Sequence, residues 1–380
     1  MDSSSIQRIP VAARHPTWVL ASAAVVLSVV LCLAFAEIVL NFLPVSSGLR
    51  SMPVDAANPV FHFEPNRSYV FSQGWNLECV TRGRVNNAGW VNEQDYRKDD
   101  PTPLVAVVGD SYIEALHVPY AESMQGRLAQ ALAGEFRVYS FAAAGAPLSQ
   151  YLIWARHAVS EYGARAVVIN VIENDFDESH AAYKTRPGFW HYVPDGNGEL
   201  QLRLFTHHRG MLWTLAQKSA LARYLLIHLT LNRYFLDVPL LRSLFVGRPA
   251  HAQPSGASGE VESRHLKDSY AVIDAFVRDL AQLGLPPDRI VLVIDGFRYP
   301  DSVAASTGTY FDRMRQALRV KAQARGYEVI DLDPFFFAHH RQHGQTFEFP
   351  RDGHWNETGH AVAAQAILSS RMLKGLRESR

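Results

Sequence analysis

The stretch Val105-Ala-Val-Val-Gly-Asp-Ser111 is an apolar run that ends abruptly in three turn-forming residues. An apolar run of this kind before a Gly-Asp-Ser turn is typical of a strand that is buried on both faces of a parallel sheet. In open α/β sheets the chemistry lies at the carboxyl ends of the strands, so the turn would present Ser111 at a functional edge. Because most such tripeptides are ordinary turns, Ser111 becomes a candidate nucleophile only if a base, an acid and oxyanion donors occur elsewhere.

From residue 104 onward, apolar strands alternate with amphipathic helices. We predict strands at 104–108, 136–141, 166–171, 290–294 and 328–332. We predict helices at 122–133, 148–162, 269–283 and 309–325, and a final helix from about 358 to 376. This alternation is the βαβ signature of a parallel sheet that is covered by helices on both faces. The sequence therefore predicts a three-layer α/β/α domain over residues 101–380.

The composition excludes several classes of function. The 37 basic residues equal the 37 acidic residues in number, so no electrostatic case exists for binding nucleic acid. Hydrophobic residues make up 48% of the chain, which is normal for a protein with a packed core. Cys32 lies in an apolar N-terminal segment, so a disulfide with Cys79 is not expected, and a cysteine zinc site is not available.

The N-terminus predicts a membrane anchor. Residues 17–36 are uncharged and strongly apolar, and the apolar character continues to residue 43. Twenty helical residues span roughly 30 Å, which is enough to cross the hydrocarbon core. Arg8 and Arg14 precede the segment and Glu37 follows it, so the positive-inside rule puts residues 1–16 in the cytoplasm. Residues 17–43 would be a single-pass anchor in a bacterial inner membrane, with the rest of the chain on the periplasmic side.

A cleaved signal peptide is the competing interpretation, because Ala34-Phe-Ala36 has the small-x-small pattern of a cleavage site. The apolar segment is longer than the roughly 7 to 15 residues of a usual signal peptide, which favours an uncleaved anchor. A buried core helix fits less well, because the segment has no polar face.

Two segments do not follow the alternation of strands and helices. Residues 44–100 are rich in Pro, Asn, Gly and aromatic residues, which indicates a stalk followed by a few strands that pack onto the main domain. Residues 205–246 are helical in pattern and unusually apolar, and a Gly/Pro/Ser-rich flexible loop follows at 247–264. The insert at 205–246 is interpreted first as a helical pair packed on the sheet. A lid over the active site and a surface lying on the bilayer are the alternatives.

Further positions along the chain supply what a serine nucleophile needs. Gly145 stands in a small-residue turn after the second strand and can present its backbone N–H to an anion. Asn174 follows the third strand at the same edge of the sheet. Near the C-terminus, Asp352 and His354 can act as orienting acid and general base from one loop.

Taken in this order, these positions resemble the blocks of the SGNH or GDSL hydrolase family, over residues 104–370. The resemblance implies a flavodoxin-like parallel sheet and makes Ser111 the nucleophile. It implies that Asp352 and His354 complete the catalytic triad. It also implies an oxyanion hole formed by the Ser111 N–H, Gly145 and Asn174.

Two departures from the usual family pattern refine the resemblance. The spacing in Asp352-Gly-His354-Trp355 resembles the Asp-x-His-Trp variant of alginate O-acetyltransferase-like proteins, whereas most family members carry Asp-x-x-His. Ser140 and Ala142 replace the Asn and Gly that often precede the glycine of the second block. The variant implies extracytoplasmic polysaccharide chemistry and a possible association with envelope polysaccharide machinery.

Several of these residues have a second interpretation. Ser111 alone is also compatible with an ordinary turn, and Asn174 is a good helix cap. His360 competes with His354 as the base. Tyr112 and Trp355 flank the triad and are candidates either to contact the substrate by stacking on a sugar or to seal the core.

The other histidines do not predict a metal site. The clusters at 207–208 and 339–343 lack a carboxylate at ligand spacing. We therefore predict no metal and no cofactor.

The sequence predicts a serine esterase or O-acyltransferase that acts on an acylated carbohydrate, with acetyl as the favoured group, through an acyl-Ser111 intermediate. Water or a sugar hydroxyl would resolve this intermediate, and the residues do not separate the two outcomes. A lipid or thioester substrate is a lesser alternative. The rival from another class is a catalytically weak SGNH-fold subunit that binds a glycan or a partner, and a metal-dependent hydrolase is third.

Overall fold

A computed structural model describes residues 17–208, 210–231 and 259–379. Its central sheet is parallel and has five strands in the described part of the chain, namely β3 (Leu104–Gly109), β4 (Arg137–Ala142), β5 (Ala164–Val171), β8 (Ile290–Ile294) and β9 (Glu328–Asp331). Their order across the sheet is β4-β3-β5-β8-β9. The predicted strands are confirmed to within two residues at either end.

Helices cover both faces of this sheet, which confirms the predicted three-layer α/β/α fold. One face carries α4 (Leu148–Tyr162), α8 (Gly259–Leu280) and α10 (Tyr310–Ala324). The opposite face carries α3 (Met124–Ala131), α11 (Asp333–His343), α12 (Glu357–Leu368) and α13 (Arg371–Glu378). Alternate residues of β3 enter the two hydrophobic clusters, because successive side chains of a strand point to opposite faces.

The remaining elements are short. The further helices are α2 (Ser111–Glu114), α5 (Asp175–Glu178), α6 (Met211–Ala216), α7 (Ala220–Arg223) and α9 (Ser302–Ser306). A π-helical turn spans Tyr224–His228, and 3₁₀ turns span Tyr120–Glu122, Ala281–Leu283 and Pro287–Arg289. Two-stranded antiparallel pairs are formed by β1 (Arg67–Gln73) with β2 (Glu78–Val85), by β6 (Trp190–Pro194) with β7 (Leu200–Leu204), and by β10 (Glu348–Phe349) with β11 (Asp352–Trp355).

The first helix, α1 (Thr17–Phe42), is long and apolar enough to cross a membrane. It has 26 residues, an 18-residue window within it has a mean hydropathy of 2.7, and none of its residues is buried in the protein. This helix fits a single-pass membrane anchor or a signal sequence. It continues without interruption past Ala36 to Phe42.

A carboxylate on α1 ties this helix to the rest of the chain. Glu37 accepts hydrogen bonds from the Ser219 hydroxyl (2.7 Å) and from the backbone N–H groups of Ala220 (2.9 Å) and Leu221 (2.8 Å). These groups stand at the N-terminus of α7, where backbone donors have no partner within the helix. The end of α1 is therefore fixed to α7 rather than joined to the domain only through the chain.

Residues 44–100 pack against the domain along much of their length. Val54, Phe61 and Phe63 are buried in the same hydrophobic cluster as α4. Trp154 of α4 donates its indole N–H to the Phe61 carbonyl (3.0 Å). This segment thus contributes to the core of the domain.

Of the predicted helical insert at 205–246, the structure describes residues 205–208 and 210–231. These residues contain α6, α7 and the π-helical turn. The π-helical turn contacts the loop between β1 and β2. His228 hydrogen-bonds to the Gly74 carbonyl (3.0 Å), and the Tyr224 hydroxyl donates to the Trp75 carbonyl (2.7 Å). The predictions for residues 232–258 lie outside the described residues.

Two boundaries differ from the sequence prediction. Helix α8 begins at Gly259, so residues 259–264 are helical where a loop was predicted. The final helix is divided into α12 and α13, because Ser370 caps a new helix by accepting a hydrogen bond from the Leu373 N–H.

Candidate active site

Ser111 lies at the carboxyl edge of the sheet, as the opening motif predicts. It is the first residue of α2, directly after β3, and Asp110 caps this helix by accepting a hydrogen bond from the Tyr112 N–H (3.0 Å). Gly109 is required just before the turn, because a Cβ atom there would collide with Ile113. The turn therefore fixes the direction of the Ser111 side chain.

The structure brings Ser111, His354 and Asp352 into one hydrogen-bonded row. The His354 Nε2 atom lies 2.8 Å from the Ser111 Oγ atom. The other ring nitrogen of His354, Nδ1, hydrogen-bonds to Asp352 Oδ1, and the His354 backbone N–H donates to the same oxygen at 2.8 Å. This is the order of nucleophile, base and orienting acid that serine-dependent acyl transfer needs.

The electrostatics of Asp352 suit an orienting acid. Burial by itself raises the pKa of this carboxyl, but the hydrogen bonds from the His354 backbone and ring outweigh it and lower the pKa to about 2. Asp352 is therefore ionised at neutral pH. An ionised acceptor at Nδ1 leaves Nε2 of a neutral His354 free to accept the Ser111 proton.

Asp110 is a second carboxylate beside the serine. Its Oδ2 atom accepts a hydrogen bond from the Ser111 hydroxyl at 3.0 Å, and its pKa also reflects the Ser111 backbone N–H. Burial raises the pKa of Asp110 to about 6, although the Tyr112 N–H acts in the opposite direction. The Ser111 hydroxyl proton thus has two alternative acceptors, Asp110 and His354.

Sequence reasoning missed two residues that support the triad. Gln73, at the end of β1, donates one amide hydrogen bond to Asp352 Oδ2 (2.7 Å) and another to the His117 Nε2 atom (2.8 Å). The His117 ring stacks on the His354 ring with centroids 4.3 Å apart. Burial lowers the pKa of His117 to about 4, and the neighbouring His354 adds to this effect. His117 is therefore a neutral acceptor that Gln73 connects to the triad.

The triad opens into a cavity of about 900 Å³ that also contains the predicted oxyanion residues. Gly145 and Asn174 line the same cavity as Ser111, Asp352 and His354. The sequence order of the four blocks therefore corresponds to one site in space.

The backbone at Gly145 needs glycine. Its φ angle is +69°, and a Cβ atom there would lie 2.7 Å from Nη1 of Arg186. The Arg186 guanidinium donates a hydrogen bond to the Ala144 carbonyl and so supports this turn from behind. Within the described residues, neither the Gly145 N–H nor the Asn174 side chain has a hydrogen-bond partner, which leaves both donors available to a ligand.

Asp175 holds the turn that presents Asn174. It is fully buried and accepts hydrogen bonds from the Tyr151 hydroxyl (2.8 Å) and the Ile172 N–H (2.8 Å). Burial raises the pKa of Asp175 well above its usual range. Asp175 is thus a structural residue of the β5 turn.

Of the two roles considered for Trp355, the structure supports core packing and not contact with the substrate. Its side chain is 0% exposed, and the indole N–H donates to Asp295 Oδ1 (3.1 Å) beneath the site. Burial within the second hydrophobic cluster, next to Phe336, excludes it from the cavity. Tyr112 does line the cavity, where its hydroxyl hydrogen-bonds to Arg298 (2.9 Å) and to the Gly353 carbonyl (2.9 Å).

His360 does not compete with His354 as the base. It is buried to 1% exposure, and its Nδ1 atom accepts a hydrogen bond from the Met124 N–H (3.2 Å). Burial lowers the pKa of His360 to about 3, so the ring is a neutral packing residue.

One group of side chains has the spacing of metal ligands. His117, Asp352 and His354 each offer one ligand atom, and these three atoms lie within 4.8 Å of one another. The polar atoms concerned are already engaged, because Gln73 bridges His117 to Asp352 and His354 bridges Asp352 to Ser111. The donor set therefore fits a proton-transfer row better than a metal centre.

No family model and no curated protein matches the chain. Solved structures with a related fold include a member of the lipolytic protein G-D-S-L family from Veillonella parvula, at 11% identity over 70% of this chain and 96% of that one, with a TM-score of 0.35. An acetyl xylan esterase, AlAXEase, shares 14% identity over 70% and 98% of the two chains, with a TM-score of 0.38. The acetylxylan esterase Axe2 from Geobacillus stearothermophilus shares 14% identity over 73% of this chain and 96% of that one, with a TM-score of 0.38. Sequence identities and TM-scores this low assign neither a family nor an activity to the chain. Any functional assignment therefore depends on the geometry of the site.

Proposed function

We propose that this protein is a membrane-anchored serine ester hydrolase or O-acyltransferase of the SGNH type. The observation that carries the proposal is the row of hydrogen bonds from Ser111 through His354 to Asp352, at the edge of a cavity that holds two unengaged donors. A serine hydroxyl is a weak nucleophile and needs such a base beside it. The same row serves hydrolysis and transfer equally.

In the proposed first half-reaction, the Ser111 oxygen attacks the ester carbonyl while its proton passes to His354 Nε2. Asp352 stabilises the imidazolium that forms. The tetrahedral oxyanion is stabilised by the Gly145 N–H and the Asn174 amide, and a single donor of this kind is worth about 2.7–4 kcal/mol. The carbon–oxygen bond to the alcohol then breaks, His354 returns the proton to the leaving alcohol, and the acyl group stays on Ser111.

In the second half-reaction, water or a sugar hydroxyl attacks the acyl-Ser111 carbonyl and gives up its proton to His354. The bond between the acyl carbon and Ser111 Oγ then breaks, and His354 returns the proton to the Ser111 oxygen. The 900 Å³ cavity supports a polyhydroxylated alcohol, because Asp295, Arg298, Glu348 and Arg351 line it with charged groups. We therefore propose acylated carbohydrate as the substrate class, with acetyl as the smallest acyl group. No cofactor enters these steps.

We further propose that α1 holds this site outside the cytoplasmic membrane. The proposal rests on the 26-residue apolar helix and on the basic residues Arg8 and Arg14 that precede it. Reporter fusions after residue 50 are the test. An alkaline phosphatase fusion that is active outside the cytoplasm is the expected result, and a fusion active only inside the cytoplasm would contradict the topology.

Replacement of Ser111 by alanine in the full chain tests the chemistry. We expect the variant to fold, to lose turnover of p-nitrophenyl acetate and to lose labelling by a fluorophosphonate probe. Mass spectrometry of the wild-type protein after incubation with acyl donors should show the acyl group on Ser111. Turnover that survives in Ser111→Ala would overturn the mechanism, and a wild-type protein that binds glycan but never labels would favour a binding subunit.

A further inference from the structure

A second cavity also borders on the catalytic triad. It has a volume of about 330 Å³ and borders on Ser111, Asp352 and His354. Its other walls come from the β1–β2 hairpin, from the π-helical turn, from the end of α2 with the residues just after it, and from Ala144, and we call it the hairpin cavity. The walls include Phe71, Gly74, Leu116, His117, Ile227 and His228.

The walls of the hairpin cavity favour an apolar ligand. Phe71, Leu116 and Ile227 contribute apolar surface. Among the polar wall residues, Gln73 donates to His117 and Asp352. The Glu114 carboxyl is also in the wall, and burial raises its pKa to about 8, so it carries no charge at neutral pH. A cavity of about 150 Å³ accommodates the six carbons of benzene, so 330 Å³ is more than the two carbons of an acetyl group need.

The hairpin cavity also lies close to the end of α1. The Ser46 N–H donates to the Nε2 atom of His228, which is a wall residue of the cavity (3.1 Å). Ser46 is four residues after Phe42, the last residue of α1, so the two are separated by at most about 14 Å. Trp75, next to the wall residue Gly74, is 70% exposed, and exposed tryptophans are typical of the membrane–water interface.

We propose that the hairpin cavity binds the acyl chain of the ester, and that this chain comes from a lipid ester in the leaflet beside α1. This inference rests on the proposed function and specifies its acyl donor. An ester bound at Ser111 would place its alcohol part in the polar cavity and its acyl chain in the hairpin cavity. The donor would then carry a chain longer than acetyl, because only a longer chain fills the apolar walls.

The first test is the dependence of kcat/KM on acyl-chain length, with the full chain in detergent micelles and p-nitrophenyl acetate, butyrate, hexanoate and octanoate. Each methylene that the cavity buries is expected to raise kcat/KM by up to about fourfold. Ile227→Trp narrows the cavity and should lower the ratio of octanoate to acetate kcat/KM by about tenfold or more. Leu226→Trp is the matched control, because Leu226 has a similar partial exposure in the same turn but is not a wall residue.

Leu116→Phe narrows the cavity at a second wall residue and should lower the same ratio. It serves as the test if Ile227→Trp does not fold. Fluorophosphonate labelling of Ser111 reports whether each variant retains a folded site. A wild-type preference for acetate that both variants leave unchanged would overturn the acyl-chain site. Because Ser111 would still label in that case, this result is distinct from failure of the proposed function.

The second test addresses the source of the chain. The protein is reconstituted in phosphatidylglycerol vesicles that contain 1-decanoylglycerol, and the release of decanoic acid is measured. Release that Ile227→Trp reduces and Leu226→Trp does not reduce is the expected result. Turnover of p-nitrophenyl octanoate without release of decanoic acid from the vesicles would contradict the proposal that the acyl chain comes from a membrane lipid.

Discussion

Replacement of Gln73 by alanine is expected to slow ester turnover without unfolding the protein. The substitution removes the 2.7 Å hydrogen bond to Asp352 Oδ2 and the 2.8 Å hydrogen bond to His117 Nε2. Without these bonds the Asp352 carboxylate is no longer held in place against His354, and this loss of positioning is expected to outweigh the effect of a more basic carboxylate. A hydrogen bond to a charged group is worth about 1.5–3 kcal/mol, and if this is lost from the transition state, kcat/KM falls by roughly 10- to 100-fold. Gln73 is partly exposed, so water can fill the space that the side chain leaves.

A pH profile separates this positioning role from a purely structural one. Gln73 is one of the donors that hold the pKa of Asp352 at about 2, so its loss leaves a more basic carboxylate. A more basic Asp352 stabilises the His354 imidazolium and moves the acidic limb of kcat/KM to higher pH. The assay is hydrolysis of p-nitrophenyl acetate between about pH 4 and 9, with Gln130→Ala as control, because Gln130 is exposed on α3. A kcat/KM within about twofold of wild type together with an unmoved acidic limb would refute the reasoning.

Three further substitutions test the site. Asn174→Ala should lower kcat by about 10²- to 10³-fold with little change in KM, and an unchanged kcat would exclude the oxyanion role. Trp355→Phe should lower the free energy of unfolding in urea by about 1–3 kcal/mol through the lost bond to Asp295; equal stability with abolished turnover would contradict its placement beneath the site. Asp352→Asn removes a carboxylate whose folded pKa of about 2 lies below its usual value, so wild type should be more stable by about 2 kcal/mol above about pH 4. This difference should vanish as pH falls to about 2, and a constant difference would be evidence against the lowered pKa.

The central sheet was predictable because its strands are buried on both faces. The run that begins at Leu104 contains only apolar residues up to Gly109, and such runs with helices between them have few other interpretations. The same alternation fixes which ends of the strands share an edge, so the sequence alone assigns Ser111, Gly145 and Asn174 to one edge.

The supporting residues were not predictable, because their contacts join distant parts of the chain. Gln73 bonds to Asp352 across 279 residues of sequence. Neither the hairpin sequence nor the spacing around Asp352 indicates this pairing. His117, six residues after Ser111, carries no motif that distinguishes it from an ordinary loop histidine.

Burial decides between the two roles considered for Trp355. An aromatic residue beside a catalytic histidine is a reasonable candidate for sugar stacking, and the sequence alone offered both that role and core packing. The side chain of Trp355 is directed inward by its hydrogen bond to Asp295, which follows β8. Such a bond depends on the order of strands in the sheet, which local sequence does not specify.

The bond between Glu37 and the start of α7 has a consequence for where the proposed enzyme can work. A domain on a flexible linker would place its active site at many distances from the bilayer. A domain that is hydrogen-bonded to its own anchor helix would hold its serine at one distance from the membrane surface. Acyl groups would have to be presented at that height, so the distance between a glycan chain and the membrane would itself select which positions are modified.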